Sequence, residues 1–161
     1  MSNEKIQELA AKLEKGWEKT RQILGDLAPG QWEMVLYDQP YPWTSRDLLA
    51  HFLSAEEHLL LLGKDIAAGG EGAPADFDYD EFNQQEQERL ALLPPMELLA
   101  RADAARKETL QWVGSLQESK LENKGLHPAL GIVDLETLIL SIYGHQLLHM
   151  REVRSRLIEN Y

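Results

Sequence analysis

One stretch near the C-terminal end, Leu138-Ile139-Leu140-Ser141-Ile142-Tyr143-Gly144-His145-Gln146-Leu147-Leu148-His149, constrains the fold more than any other. Leu138, Ile142, His145, His149 and Val153 recur at steps of four, three, four and four, which places them on one face of a helix. That face is the apolar, inward one, and two imidazoles replace aliphatic side chains on it. A buried imidazole is costly unless it finds a partner. Residues four apart on a helix sit about 6 Å from each other, close enough to chelate one metal ion. The chain must therefore build a helical core that accommodates two histidines.

The rest of the sequence supplies the other helices. Ile6, Leu9, Leu13, Trp17, Thr20, Leu24 and Leu27 recur at helical spacing over residues 3–27, and Pro29-Gly30 ends that run. Residues 28–43 form a long connection with Trp32, Tyr37, Tyr41 and Trp43, kept non-helical by Pro40 and Pro42. So many aromatics read as a loop packed on the protein, long enough to cross between non-adjacent helices. Thr44 is the N-cap of a second helix, with Asp47 in its first turn and Trp43 and Leu48 spaced as a hydrophobic staple. That helix reads to about Ala68, ended by Gly69-Gly70 and Gly72, and residues 69–77 read as a flexible loop.

Asp78 caps a third helix, with Glu81 three residues on and Phe77 and Phe82 as a second staple. Pro94-Pro95 interrupts it, and it resumes at Met96 to about Leu116. Residues 117–133 are polar and read as a loop; Asp134 then caps the last helix, with Val133 and Leu138 as a third staple, to about Glu159. No strand pattern of period two appears. The expectation is one all-α domain over residues 1–161, a four-helix bundle with its third helix interrupted at Pro94-Pro95.

Composition narrows the function classes. With 16 basic and 27 acidic residues the net charge is -11, which argues against a nucleic-acid partner and against an anionic membrane surface. The chain has no cysteine, which excludes disulfides, thiolate metal ligands and a cysteine nucleophile. Met1-Ser2-Asn3-Glu4-Lys5 lacks the apolar core of a signal peptide, and the longest aliphatic run is Leu59-Leu60-Leu61-Leu62. A cytoplasmic protein is expected.

Five histidines remain to be placed: His51, His58, His127, His145 and His149. A single histidine on an apolar face is ordinarily a hydrogen-bonded core residue. The pair His145 and His149 is a stronger signal, but not the zincin motif, because Gln146 stands where that motif places its glutamate base. A third ligand would come from another helix, and His51 lies on the inward face of helix two between Leu48 and Ala55. His58 is seven residues on, about 10 Å along the axis, too far to share an ion with His51; it reads as structural or as a support behind the ligands. His127 precedes Pro128 and reads as a solvated loop side chain, and Glu56 and Glu57 read as solvent-facing or supporting. Three neutral imidazoles without a fourth protein ligand describe an open, catalytic site suited to zinc, nickel or another borderline divalent ion. The ion would activate a water or hold a substrate thiol as thiolate. Arg151 and Arg154 follow His149 and are candidates to meet a substrate carboxylate; the competing reading is that they face solvent and favour the negative helix end.

The segment Tyr41-Pro42-Trp43-Thr44-Ser45-Arg46-Asp47-Leu48-Leu49-Ala50-His51 resembles the one that opens helix two in the DinB-like, or YfiT-like, proteins. Gly144-His145-Gln146-Leu147-Leu148-His149 resembles their last-helix histidine pair, and the spacing from His51 to His145 is similar as well. The likeness extends over nearly the whole chain, including Asn83 and the break before Met96. The resemblance implies a left-twisted four-helix bundle, a divalent metal on His51, His145 and His149, and frequent dimers. It further implies a kinship with enzymes that use low-molecular-weight thiols such as bacillithiol, mycothiol or glutathione. The expected function is a metal-dependent thiol S-transferase or hydrolase acting on a small electrophile, as a homodimer. The alternative is a metal-free small-molecule binding or resistance protein that uses the bundle pocket.

Overall fold

The computed structural model describes residues 3–38 and 42–159, so Gln39, Pro40 and Tyr41 lie outside the described residues. Five helices account for most of them: α1 Glu4–Gly25, α2 Ser45–Ala67, α3 Tyr79–Leu90, α4 Pro95–Ser115 and α5 Leu135–Glu159. The expected caps form. Thr44 Oγ1 accepts from the Asp47 amide at 3.1 Å while the Asp47 carboxylate accepts from the Thr44 amide at 3.0 Å. Asp78 accepts from the amides of Asp80 and Glu81, and Asp134 from that of Thr137. The Thr137 bonds hold the Asp134 carboxyl below its usual range.

Four of the helices make the bundle. α1 packs against α4 and α5, and α2 packs against the same two, so α1 and α2 face each other across a diagonal. The long connection after α1 makes that crossing. One apolar cluster joins Ile6, Leu9 and Leu13 of α1 to Leu59, Leu62 and Ile66 of α2, Val113 of α4, and Leu135, Leu138, Ile139 and Ile142 of α5. The other joins Trp17 and Leu24 to Leu48, Leu49, Phe52 and Leu53, to Leu98, Leu99 and Ala102, and to Met150 and Val153. α1 and α5 therefore run one way, and α2 and α4 the other. This settles a direction that helix spacing leaves open: the histidine-bearing α2 and α5 are antiparallel neighbours.

Because α2 and α4 are parallel, the chain must return the length of the bundle between them. That is the role of α3, which packs on the outside of α2. Pro94-Pro95 thus separates two helices rather than kinking one, and Pro95 opens α4, where a missing amide hydrogen costs nothing. Arg46, at the start of α2, ties the turn down by donating to the carbonyls of Leu90 and Leu93.

The connections hold more order than the sequence predicts. Residues 28–43 contain a 3₁₀ turn, Pro29–Glu33, and a strand β1, Val35–Tyr37, paired antiparallel with β2, Trp43–Thr44. Residues 117–133 contain a 3₁₀ turn, Glu118–Glu122, and lead into the hairpin of β3, Lys124–His127, and β4, Gly131–Asp134. The expected flexible loop at 69–77 is pinned to β3: Leu126 donates to Glu71 at 2.7 Å and Ala73 donates to Leu126 at 2.9 Å. Gly72, at φ 84°, permits this approach, since a Cβ there would meet the Leu126 carbonyl oxygen at 2.6 Å. No helix among the described residues is long and apolar enough to cross a membrane.

Candidate metal centre

His51 lies two turns into α2, on the face that also buries Leu48 and Phe52. His145 and His149 lie on α5, on the stripe that buries Leu138, Ile142 and Val153. The antiparallel packing brings the three rings together. One ring nitrogen from each lies within 4.8 Å of the others. His51 Nε2 and His145 Nε2 are 2.9 Å apart. Bonds of about 2.05 Å at tetrahedral angles separate two nitrogen ligands by about 3.3 Å, so a small ring rotation seats a cation between them. His149 Nδ1 is occupied by the Tyr37 hydroxyl at 2.8 Å, which leaves Nε2 for the cluster.

Burial depresses all three basicities. His51 is held well below the ordinary histidine value by burial and by the two neighbouring imidazoles. His145 is lowered to about 4 by burial and by His149 and His127, and burial lowers His149. Three neutral imidazoles present three lone pairs, which is the donor set a borderline divalent ion requires. Aromatic rings wall the centre: Trp43 lies 4.9 Å from the His51 ring, and Phe52 lies 6.0 Å from that of His145 and 5.9 Å from that of His149.

The centre opens on a cleft of about 1640 Å³. Exposed apolar side chains, Leu148, Met96, Leu130 and Tyr79, stand around it. Its charged lining among the described residues is Glu33, Asp47, Asp80 and Glu88 on the acidic side and Arg46 on the basic side. The Arg46 guanidinium is already engaged by two carbonyls and by Asp47 at 3.3 Å.

The remaining candidates from the sequence are placed differently, each for a physical reason. Arg151 and Arg154 are exposed on α5 and do not line the cleft; Arg151 borders a separate depression with Glu152, Ser155 and Arg156. They fall off the stripe that carries His145 and His149. His58 belongs to an aromatic group farther along the cleft, stacked on Phe77 at 4.9 Å and packed on Phe82 at 4.6 Å. His127 is buried rather than solvated. Its Nδ1 accepts from the amides of Ala129 at 3.0 Å and Leu130 at 3.2 Å, and its Nε2 lies 3.0 Å from Ser141 Oγ. Ser141 spends its own proton on the Leu138 carbonyl, so His127 Nε2 is the donor and the ring is neutral.

Glu57 is exposed, as expected, and pairs with Arg89 at 3.6 Å. Glu56 is not: it is fully buried and bound to Arg106 at 2.6 Å, while Arg106 also donates to the Leu13 carbonyl. This pair bridges three bundle helices. Sequence reasoning also leaves out Tyr37 as a partner of His149. The signal available for it was an aromatic residue in a connection too rich in aromatics to be a free linker.

The profile of the DinB superfamily matches residues 12–153. No curated protein matches the chain by sequence. Among solved structures, YfiT from Bacillus subtilis, described as "a probable metal-dependent hydrolase with an unusual four-helix bundle topology", aligns with a TM-score of 0.74 at 18% identity, over 98% of this chain and 90% of that one. The mycothiol-dependent maleylpyruvate isomerase aligns with a TM-score of 0.76 at 16% identity, over 91% of this chain and 60% of that one. The colibactin self-resistance protein ClbS, solved in complex with a dsDNA, aligns with a TM-score of 0.72 at 14% identity, over 93% and 95%. At these identities the likeness is one of fold. The ClbS complex corrects the expectation, drawn from net charge, that such a protein has no nucleic-acid partner. Net charge sums over the whole surface, whereas gripping phosphates requires only a local patch, so the fold is compatible with DNA.

Proposed function

Since the chain belongs to the DinB superfamily, we propose that it is a divalent-metal-dependent enzyme, holding zinc or nickel on His51, His145 and His149 and attacking a small electrophile with water or a low-molecular-weight thiol. The observation that carries this reading is the convergence of three neutral imidazoles, from two helices, on the wall of a large cleft. When bound, the ion supplies Lewis acidity, which lowers the pKa of a water or thiol at its open position.

The chain's own residues do the rest. α2 and α5 bring the three rings together from opposite directions. Trp43 covers His51 from the cleft wall, and buried Phe52 packs against His145 and His149. Leu148, Met96, Leu130 and Tyr79 offer apolar surface to the body of a substrate. Among the described residues the cleft's one arginine is already engaged and its other charges are acidic, which favours a neutral or cationic electrophile over a carboxylate.

The test is elemental analysis of the purified protein beside a His51→Ala variant. The expected result is about one divalent ion per chain, lost in the variant while its helical circular dichroism persists. A wild-type protein that stays metal-free after incubation with zinc and with nickel overturns the reading and leaves the cleft as a binding pocket.

A further inference from the structure

We propose that Tyr37 is a positioning residue of the metal centre, its hydroxyl fixing the His149 ring so that Nε2 faces the other two ligands. The inference rests on the metal reading above. Tyr37 comes from neither ligand-bearing helix. It ends β1, and the pairing of β1 with β2 sets two aromatic side chains against the centre: Tyr37 on His149 and Trp43 on His51. The Tyr37 ring meets His149 edge-on, with centroids 5.7 Å apart and planes at 82°, so the contact is directed through the hydroxyl and not through stacking.

Proton accounting gives the hydroxyl its role. Glu152, three residues beyond His149 on α5, sets its negative charge against the same hydroxyl. A carboxylate attracts the phenol proton toward itself and offers no donor in return. The phenol oxygen is then left to accept, and the donor that meets it is His149 Nδ1–H. A ring protonated at Nδ1 carries its lone pair on Nε2, the form a metal ligand requires. Without the hydroxyl the neutral ring is free to hold its proton on Nε2, where it blocks coordination. His51 has no equivalent support among the described residues: its Nδ1 is buried with no hydrogen-bond partner, and its ring is held by packing against Trp43.

The experiment compares the full-length wild type with Tyr37→Phe, which removes one oxygen and keeps the ring. Zinc affinity is read by competition with a chromophoric chelator. The ring proton of His149 is read in the metal-free protein by ¹⁵N NMR of labelled histidine. The expected result is zinc binding about 10–100-fold weaker in the variant, with unchanged circular dichroism. The wild-type His149 should be the Nδ1–H form, giving way to a mixture in the variant. Unchanged zinc affinity in Tyr37→Phe, or an Nε2–H ring in the wild type, overturns the inference and leaves the metal reading standing. Failure of the wild type to take up zinc or nickel overturns the metal reading, and this inference with it.

Discussion

Arg106 and Glu56 show how one pair of residues can be both costly and required. Each is about 2% exposed, and they sit where α1, α2 and α4 meet. Two charges leave water on folding, and their bidentate contact together with the Leu13 carbonyl offsets that loss. Removing one partner strands the other. Glu56→Ala should lower stability by about 3–5 kcal/mol, read as a fall in the urea midpoint, whereas the double change Glu56→Leu with Arg106→Met should recover most of it. If the single variant unfolds at the wild-type midpoint, the pair does not bear on the fold. Glu56 reads from sequence as solvent-facing or as a support to the histidines because its partner lies 50 residues away, and no local pattern announces such a partner. The clustering of His51, His145 and His149 was legible for the opposite reason: each lies on an apolar stripe whose helical spacing is local.

At the scale of elements, helices and caps were readable because each is set within about one turn of chain, by a capping oxygen, a staple or a periodic stripe. The strands were not. β1 and β2 have three and two residues, too few for an alternation to register, and what makes them strands is their pairing across a connection. The same limit hid His127, whose burial depends on β3 and β4 folding back on α5 and on the loop that carries Phe77. His127 makes the hairpin sensitive to acid. Burial lowers its pKa below the ordinary 6.5, and nearby His58 adds to the effect. In the unfolded chain the ring titrates near 6.5, so below that value the unfolded state binds more protons than the folded one. Stability from this residue is therefore complete above about 6.5 and is lost as pH falls toward the depressed folded value. Thermal unfolding of the metal-free protein should show a larger drop between about pH 7.5 and about pH 5.5 in the wild type than in His127→Gln, which keeps a donor and an acceptor but no titration. Equal drops in the two proteins would remove His127 from the acid response.

For the molecule as a whole, the question is whether the metal would hold the fold or only use it. The two apolar clusters span all four bundle helices, and the buried Arg106–Glu56 pair joins three of those helices without reference to the centre. The three histidines connect α2 and α5 alone, which already pack against each other. A structural metal is one whose removal leaves too little core to fold, as in small zinc domains. Here the core is complete without it. Chelation should therefore leave helical circular dichroism unchanged and lower the melting temperature only by the linkage contribution. With free zinc at about 100 times its dissociation constant, that contribution is about 2.7 kcal/mol. For a chain of this size it corresponds to a shift of about 5–11 °C, readable by calorimetry with and without chelator. The shift should grow with the logarithm of zinc concentration and vanish in His51→Ala. Loss of helix on chelation would instead make the ion part of the core, and the three histidines would then be a structural staple between α2 and α5.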